Sequence, residues 1–346
     1  MTQSQKTVNA VRDALDTSIL TYNELNAARI DELTEEPSAL DFMQYCAHNR
    51  PFVIRQGARS WKAVQRWNYD YLVDALQDTS VNVAITPHGN ADAILEKEDG
   101  SLSFVKPYER EEAFEDFVRY VIQQEQSVES SPTEPVKYGQ TQNDNLRDEY
   151  QELFNDVPPT VPFARIALRK APEAVNFWLG NRFSVTSLHK DNYENIYAQI
   201  VGQKHFVLLP PIDAPCVAER NLPAETYVLN QVTSSASPGS LSSLQKHELV
   251  ATPDSPPSTT PVATWDPDHP SVRATPYSMR AQQIRVTLNE GDMLYLPAMW
   301  YHKVSQSCGS EGFSCAVNYW YDMDFGGGFW ATNAFVRDVA IALEDA

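Results

Sequence analysis

The sequence has 346 residues and a mass of 39.0 kDa, which suits one large domain or two smaller ones. Its formal net charge of −19 disfavours direct binding to nucleic acid, because phosphate binding needs a basic surface, whereas a basic protein segment would be attracted. No apolar run is long enough for a membrane span, the first residues lack the order of a signal peptide, and four scattered cysteines form no C-x-x-C zinc motif. We therefore expect an intracellular protein with reduced thiols, in the cytoplasm with the nucleus as a second location, that binds no membrane.

The first 135 residues are predicted to form a region of helices and strands that packs on the core. Near the start, apolar residues recur at helical spacing and would form one stripe along a helix; the apolar residues that follow fall outside this stripe. The pattern predicts a helix, a break and a second short helix before residue 35. A further helix is expected at 38–49, strands at 51–56 and 81–86, and a helix that begins in the acidic stretch YEREEAFEDF and ends near residue 126.

Residues 136–325 are predicted to be the core, because short alternating strands broken by turns follow one another there. The segment 136–142 places Tyr138, Gln140 and Gln142 on one face, which fits either a polar cavity or a solvent-facing strand. Strands at 173–179 and 182–188 resemble a hairpin around Gly180. Further strands are expected at 195–201, 204–209, 284–288, 293–297, 300–306 and 313–321.

Two segments interrupt or follow this core. Residues 233–261 are rich in Ser, Thr and Pro and predict a disordered surface insertion. Residues 326–346 predict an amphipathic C-terminal helix that packs either on its own chain or on a second copy in a homodimer. The fold class that follows is mainly β, with a double-stranded β-helix (jelly-roll, cupin) core and flanking N-terminal and C-terminal helices.

The most informative motif is His189-x-Asp191. Residues two apart in a strand share a face, so this imidazole and this carboxylate can point at one centre. His302, beside the apolar segment GDMLYLP, can complete a two-histidine, one-carboxylate set if a later strand brings it near. Such a set suits Fe(II) with open positions for a bidentate cosubstrate and O2. Zinc-dependent hydrolysis by the same ligands is the alternative, although no further general base is apparent.

A 2-oxo acid such as 2-oxoglutarate is the expected cosubstrate, and its distal carboxylate needs a cation. Lys204 stands thirteen residues after Asp191 and next to His205, so one of the two faces inward; a surface lysine is the alternative. Tyr138 and Thr186 are the candidate hydroxyl partners. Two asparagines in apolar strands are candidates for the rest of the pocket, Asn195 and Asn318.

Several segments resemble the Jumonji-C (cupin) 2-oxoglutarate oxygenases, and within them the small single-domain lysyl hydroxylases: AVNFWLG, VTSLHKDNYENIYAQIVGQKHFVLLPP, GDMLYLPAMWYHKV and AVNYWYDMDF. The similarity covers most of residues 40–325. It implies that His189, Asp191 and His302 bind iron and that Lys204 binds the distal carboxylate of 2-oxoglutarate. It also implies help from Tyr138 and Thr186 there, and pocket positions for the residues Asn195 and Asn318.

The resemblance further implies C3 hydroxylation of a lysine in a basic segment of developmentally regulated GTP-binding proteins. A lysine demethylase with the same iron chemistry and a catalytically silent cupin binding module are the alternatives. Candidate residues for the substrate side of the site are Asn192, Tyr193, Trp178, Trp300 and Asp322.

Overall fold

A computed structural model describes residues 2–126, 131–132, 134–230 and 248–344. The α-helices in these ranges are α1 (Gln3–Leu25), α2 (Ala39–His48), α3 (Lys62–Arg66), α4 (Tyr69–Ala75), α5 (Phe114–Glu125), α6 (Pro162–Leu168) and α7 (Gly328–Glu344). The strands are β1 (Asp31–Leu33), β2 (Phe52–Ile54), β3 (Ser80–Thr86), β4 (Asn90–Ala91), β5 (Ala93–Glu96), β6 (Leu102–Lys106), β7 (Tyr108–Ala113), β8 (Val136–Tyr138), β9 (Ala174–Gly180), β10 (Val185–His189), β11 (Tyr193–Val201), β12 (Gln203–Leu209), β13 (Glu219–Leu229), β14 (Leu249–Pro253), β15 (Thr259–Ala263), β16 (Ile284–Leu288), β17 (Met293–Leu296), β18 (Tyr301–Ser307) and β19 (Ser314–Asp322).

Two sheets form the core of the molecule. One has the strand order β1-β2-β17-β11-β19-β9, and the other has the order β16-β12-β18-β10-β4. Successive strands such as β11 and β12, or β18 and β19, belong to opposite sheets, as in a jelly roll. Gly202 makes the first of these connections with a φ of 73°, and a Cβ there would lie 2.6 Å from the carbonyl oxygen of Ser307. The expected mainly β, cupin-type fold with helices at both ends is confirmed.

Alternation along the central strands separates the interior of the two-sheet core from the layer beneath the helices. On β19, Val317 and Tyr319 pack with buried residues of the helical region, such as Phe42 and Trp61. The residues between them point to the interior, where Ala316 joins a cluster with side chains from both sheets. The inward row of β19 also carries the polar side chain of Asn318, which is 1% exposed. The strands thus place polar groups inside the core at selected positions.

The secondary structure corrects three sequence predictions. The N-terminal segment forms one helix that continues to Leu25, whose side chain is exposed, and the expected second short helix is replaced by β1, which pairs in parallel with β2. The acidic stretch begins as strand β7, because it pairs with β3, and the helix starts only at Phe114. Strands β9 and β10 do not form a hairpin, because β9 pairs with β19 and β10 pairs with β18.

The regions outside the predicted core are joined to it. Of the predicted insertion, residues 233–247 lie outside the described residues. Disorder is wrong for the remainder, where β14 and β15 pair with β13. Before the predicted boundary at residue 135, β2 pairs with β17 and β4 with β10, although the boundary itself stays a prediction.

The C-terminal helix packs on its own chain, where α7 contacts the 3-10 helix Pro211–Cys216 and strand β13. Packing on a second copy stays a prediction. All four cysteines are free. Among the helices of the described ranges, none is both long and apolar enough to cross a membrane.

Candidate active site

The three candidate metal ligands meet at one end of the two-sheet core. His189 is the last residue of β10, Asp191 follows in the next turn, and His302 is the second residue of β18. Because β10 and β18 are antiparallel and His189 is in register with His302, the two imidazole rings lie with their centroids 4.1 Å apart. The ligand atoms of the three residues all lie within 4.8 Å of one another, so this group could bind a metal ion.

Hydrogen bonds orient both histidines for ligation. The carbonyl oxygen of Ser187 lies 2.7 Å from Nδ1 of His189, and the carbonyl oxygen of Trp300 lies 3.0 Å from Nδ1 of His302. A carbonyl can only accept, so each Nδ1 carries the proton and each Nε2 presents a lone pair. Both Nε2 atoms lie 3.7 Å from Oδ2 of Asp191, which is too long for a hydrogen bond. The three ligand atoms therefore face one shared centre.

Burial also keeps the second histidine in its metal-binding form. Desolvation, with a smaller effect of the neighbouring His189, lowers the pKa of His302 to about 4. The ring is therefore neutral near pH 7, as a ligand must be. Two imidazoles and one carboxylate suit Fe(II) and also occur around Zn²⁺, so the donor set fits a divalent transition metal with open positions.

A cavity leads from the three ligands into the space between the sheets. Of the polar face predicted at 136–142, Tyr138 and Gln142 belong to the wall of the cavity, whereas Gln140 is buried but does not line it. The full lining consists of Tyr138, Gln142, Trp178, Thr186, His189, Asp191, Asn195, Tyr197, Phe206, His302, Val304, Asn318 and Trp320. A larger and more open groove of about 1150 Å³ lies between α2 and α6, but none of the candidate ligands lines it.

Lys204 lies behind this cavity and is 1% exposed. Its Nζ donates to the hydroxyl oxygen of Tyr138 at 2.9 Å, and no ion pair with a carboxylate is found for it among the described residues. Burial lowers the pKa of Lys204 to about 7, and a hydrogen bond from Thr186 reaches Tyr138. A buried ammonium group with a single hydroxyl partner is costly unless an anion joins it. The neighbouring His205 faces outward and bonds the hydroxyl of Thr287, as the alternation predicted.

The two predicted asparagines are in direct contact. Nδ2 of Asn318 donates to Oδ1 of Asn195 at 3.1 Å. Oδ1 of Asn318 accepts from the indole nitrogen of Trp178 at 2.9 Å and from Nδ2 of Asn176 at 3.3 Å. Sequence reasoning missed Asn176, which is in register with Asn318 across β9 and β19. Its position in the apolar run AVNFWLG was the available signal, because a buried amide needs partners.

A second space, called here the outer groove, joins the cavity at Gln142, Thr186 and His189 and has a volume of about 470 Å³. Strands β13 and β15 and helix α7 supply much of its wall, which sequence reasoning missed. The other lining residues are Asp92, Ile94, Phe104, Ser187, Leu188, Lys190, Asn192, Glu219, Thr260, Pro261, Val262, Ala263, Met299, Tyr301, Trp330, Ala334 and Arg337.

The residues predicted on the substrate side are divided between several places. Asn192 lines the outer groove, whereas Trp178 belongs to the inner cavity. Trp300 is 1% exposed and donates its indole N–H to Asn49, so its expected place at the mouth is wrong. The ring of Tyr193 stacks on Trp320 at a centroid distance of 4.8 Å. Asp322 lies outside both linings.

The chain is similar in sequence to a known domain family and to several known proteins. Residues 37–327 match the cupin-like domain family. The chain is 37% identical over 295 residues to the bifunctional peptidase and (3S)-lysyl hydroxylase JMJD7 of Homo sapiens, covering 85% of this chain and 84% of that protein. It is 35% identical over 299 residues to the lysine-specific demethylase JMJ32 of Arabidopsis thaliana (86% and 83% covered), and 32% identical over 311 residues to JmjC domain-containing protein E of Dictyostelium discoideum (85% and 84%).

Proposed function

The chain belongs to the cupin-like Jumonji-C family, and we propose that it is an Fe(II)- and 2-oxoglutarate-dependent protein hydroxylase. One observation carries this proposal: the buried ammonium group of Lys204 lies behind the same cavity that begins at His189, Asp191 and His302. A metal hydrolase has no use for a buried cation at that position. A dicarboxylate cosubstrate that chelates the metal at one end needs a cation at the other.

Different residues would bind the iron and the cosubstrate. His189, Asp191 and His302 would hold the iron through two Nε2 atoms and one carboxylate oxygen. Bound iron with 2-oxoglutarate and O2 would supply the oxidising chemistry that inserts one oxygen atom into a C–H bond. The protein orients the imidazoles through the carbonyls of Ser187 and Trp300, and the three ligand residues border the cavity in which the cosubstrate would bind.

The cavity wall would then fix the cosubstrate. Lys204 and the hydroxyls of Tyr138 and Thr186 would bind the distal carboxylate, whose negative charge restores the charged state of the lysine. Asn195 and Asn318, already tied to each other, would donate or accept near the metal end. The aromatic wall limits the access of water to this space.

We propose a lysine as the target, with hydroxylation at C3 in a GTP-binding protein of the developmentally regulated class. Support comes from the (3S)-lysyl hydroxylase named among the relatives and from the net charge of −19, which favours a basic substrate segment. Lysine demethylation is the second candidate, because a relative of nearly equal identity is named a demethylase. A silent binding module is disfavoured by the complete donor set and the buried lysine.

Mass spectrometry separates these functions. The full chain is incubated with Fe(II), 2-oxoglutarate, O2 and either lysine-containing peptides from GTP-binding proteins or methylated peptides. Hydroxylation adds one oxygen atom, and demethylation removes a methyl group. We expect succinate to form and a GTPase peptide to gain one oxygen atom. Methyl loss alone would replace the hydroxylase proposal, and the absence of succinate would favour the binding module.

Replacing His189 with alanine tests the site itself. We expect His189→Ala to lose both metal binding and succinate formation, because two ligands cannot hold the metal in place. His269→Ala, at an exposed position away from the cavity, is the matched control and should behave as wild type. An active His189→Ala protein would contradict the ligand assignment.

A further inference from the structure

The outer groove contains two basic residues, and both are already paired within the protein. Nζ of Lys190 lies 3.0 Å from Oε2 of Glu219, and Nε of Arg337 donates to Oε1 of the same carboxylate. The hydroxyl of Tyr301 also donates to Oε2 of Glu219 at 2.7 Å. Glu219 is 5% exposed and is therefore fully satisfied by this wall of the groove. The wall offers no open charge to a ligand.

Asp92 is the other carboxylate of the groove outside the metal ligands. It lies in the turn between β4 and β5 with a φ of 53°, a left-handed conformation that costs a non-glycine residue energy but that Asp and Asn tolerate. Within the described ranges its carboxylate makes no hydrogen bond or ion pair. Of the cations that act on it, His189 comes first and is a candidate metal ligand, and Lys106 is itself bonded to Asp254 at 2.7 Å. Burial raises the pKa of Asp92, which is half-buried in the wall of the groove, and no bond within the described ranges replaces the hydration that it has lost.

The strand register brings this carboxylate to a useful distance from the metal ligands. Ala91 is in register with Thr186 in the parallel pair of β4 and β10, and Asp92 follows directly in the turn. Extending this register by one position would set Asp92 opposite Ser187, two residues before His189. The Cα atoms of Asp92 and His189 would then be separated by two residues along the strand, at about 3.3 Å per residue, and by one spacing between strands of about 4.8 Å. Together these give a distance of roughly 8 Å. An extended lysine side chain spans about 5 Å from C3 to its nitrogen, four single bonds away.

From these contacts we infer that Asp92 binds the ε-ammonium group of the substrate lysine and so determines specificity for a lysine side chain. The inference rests on the proposed function, because it places the target carbon beside the metal while the ammonium group reaches the turn after β4. A lysine that enters the groove loses hydration, and an unpaired carboxylate at its end replaces that hydration with a charge-assisted hydrogen bond. An uncharged side chain of the same length gains nothing from this contact.

The test uses two small probes with four side-chain carbons each, Nα-acetyl-lysine methylamide and N-acetyl-norleucine methylamide, of which only the first carries a terminal ammonium group. Their binding to the full chain is measured by ligand-observed NMR with 2-oxoglutarate and Zn²⁺, which prevents turnover. Wild type should bind the lysine probe at least tenfold more tightly than the norleucine probe. Asp92→Asn, which keeps a residue tolerant of positive φ, should remove that preference and leave the norleucine affinity unchanged.

Asp99→Asn is the matched control. Asp99 is an exposed aspartate in the turn between β5 and β6, outside the groove, and it accepts a hydrogen bond from the backbone amide of Ser101. An asparagine can accept the same bond, so this variant loses one negative charge, as Asp92→Asn does, but at a position away from the groove. It should retain the lysine preference. Equal binding of both probes by wild type, or an intact preference in Asp92→Asn, would overturn the inference. Succinate formation with Fe(II), O2 and the GTPase peptide is measured separately, and its absence in wild type would count against the proposed function instead.

Discussion

Replacing Lys204 with methionine removes the buried cation while keeping an unbranched side chain. Burial lowers the pKa of Lys204 from its ordinary 10.5 to about 7. That difference corresponds to a folding cost of about 5 kcal/mol below pH 7 and about 4 kcal/mol at pH 7.5. The lost hydrogen bond to Tyr138 offsets about 1 kcal/mol of this cost. We therefore expect Lys204→Met, without ligands, to be more stable than wild type by about 3 kcal/mol at pH 7.5.

The pH dependence of the difference follows from the same pKa values. Between pH 7 and 10.5 the unfolded chain binds the Lys204 proton more tightly than the folded protein does, so wild-type stability gains with rising pH in this window. The advantage of the variant is therefore largest below pH 7 and disappears near pH 10.5. Added 2-oxoglutarate should bring the two proteins to nearly equal stability at pH 7.5, because at a hundred times its Kd it stabilises wild type by about 2.7 kcal/mol and the variant hardly at all.

Urea unfolding at pH 7.5 and pH 9.5, with and without 2-oxoglutarate, measures these differences. Lys6→Met, at an exposed position of α1, is the control and should change the free energy of unfolding by less than about 0.5 kcal/mol. A variant that is less stable than wild type without ligand would refute the idea that Lys204 is an uncompensated cation. Equal stabilisation of both proteins by 2-oxoglutarate would refute its role in binding the cosubstrate.

Two further substitutions test the surroundings of the site and a buried acid. Gly180→Ala should weaken 2-oxoglutarate binding at least tenfold and lower the free energy of unfolding by about 1–3 kcal/mol. The reason is that a Cβ there would lie 2.6 Å from Oγ of Ser184 and 2.7 Å from side-chain atoms of both Tyr138 and Gln306. An unchanged affinity in calorimetry would contradict this prediction. Asp213→Asn should stabilise the protein by up to about 5 kcal/mol at pH 8 and by little at pH 4. Burial raises the pKa of Asp213 to about 8, so the wild-type folded state loses stability as pH rises from about 4 to 8, and the variant does not. Urea unfolding at the two pH values checks it, and equal shifts at both would argue against titration of this group.

The cluster of His189, Asp191 and His302 could be predicted in part because some of its signal is local. His189 and Asp191 share a face by the two-residue repeat, and the alternation of Lys204 with His205 required one of the two to face inward; the structure shows that it is Lys204. His302 needed more, since only the pairing of β10 with β18 brings it opposite His189. The sequence indicated the strand around His302 but contained no information on its register.

The outer groove could not be predicted, because its wall depends on contacts between distant segments. Glu219 and Arg337 lie 118 positions apart, and no periodicity relates β13 to α7. The Ser-, Thr- and Pro-rich composition near β14 and β15 favoured disorder, yet pairing with β13 supplies their hydrogen bonds. Strand β1 was missed for the same reason: three residues carry too little pattern, and the parallel pairing with β2 decides the conformation.

The exchange of successive strands between the two sheets has a consequence for the order of events during folding. Tyr138 and Lys204 are 66 positions apart, and the two histidines are brought together only when β18 pairs with β10. Such distant pairings pay a loop-closure entropy and tend to form late, so the three candidate ligands meet only after β10 and β18 have paired. If the chain binds a metal there, only molecules in which these two strands have paired would hold it, so metal occupancy would report that this distant pairing has formed.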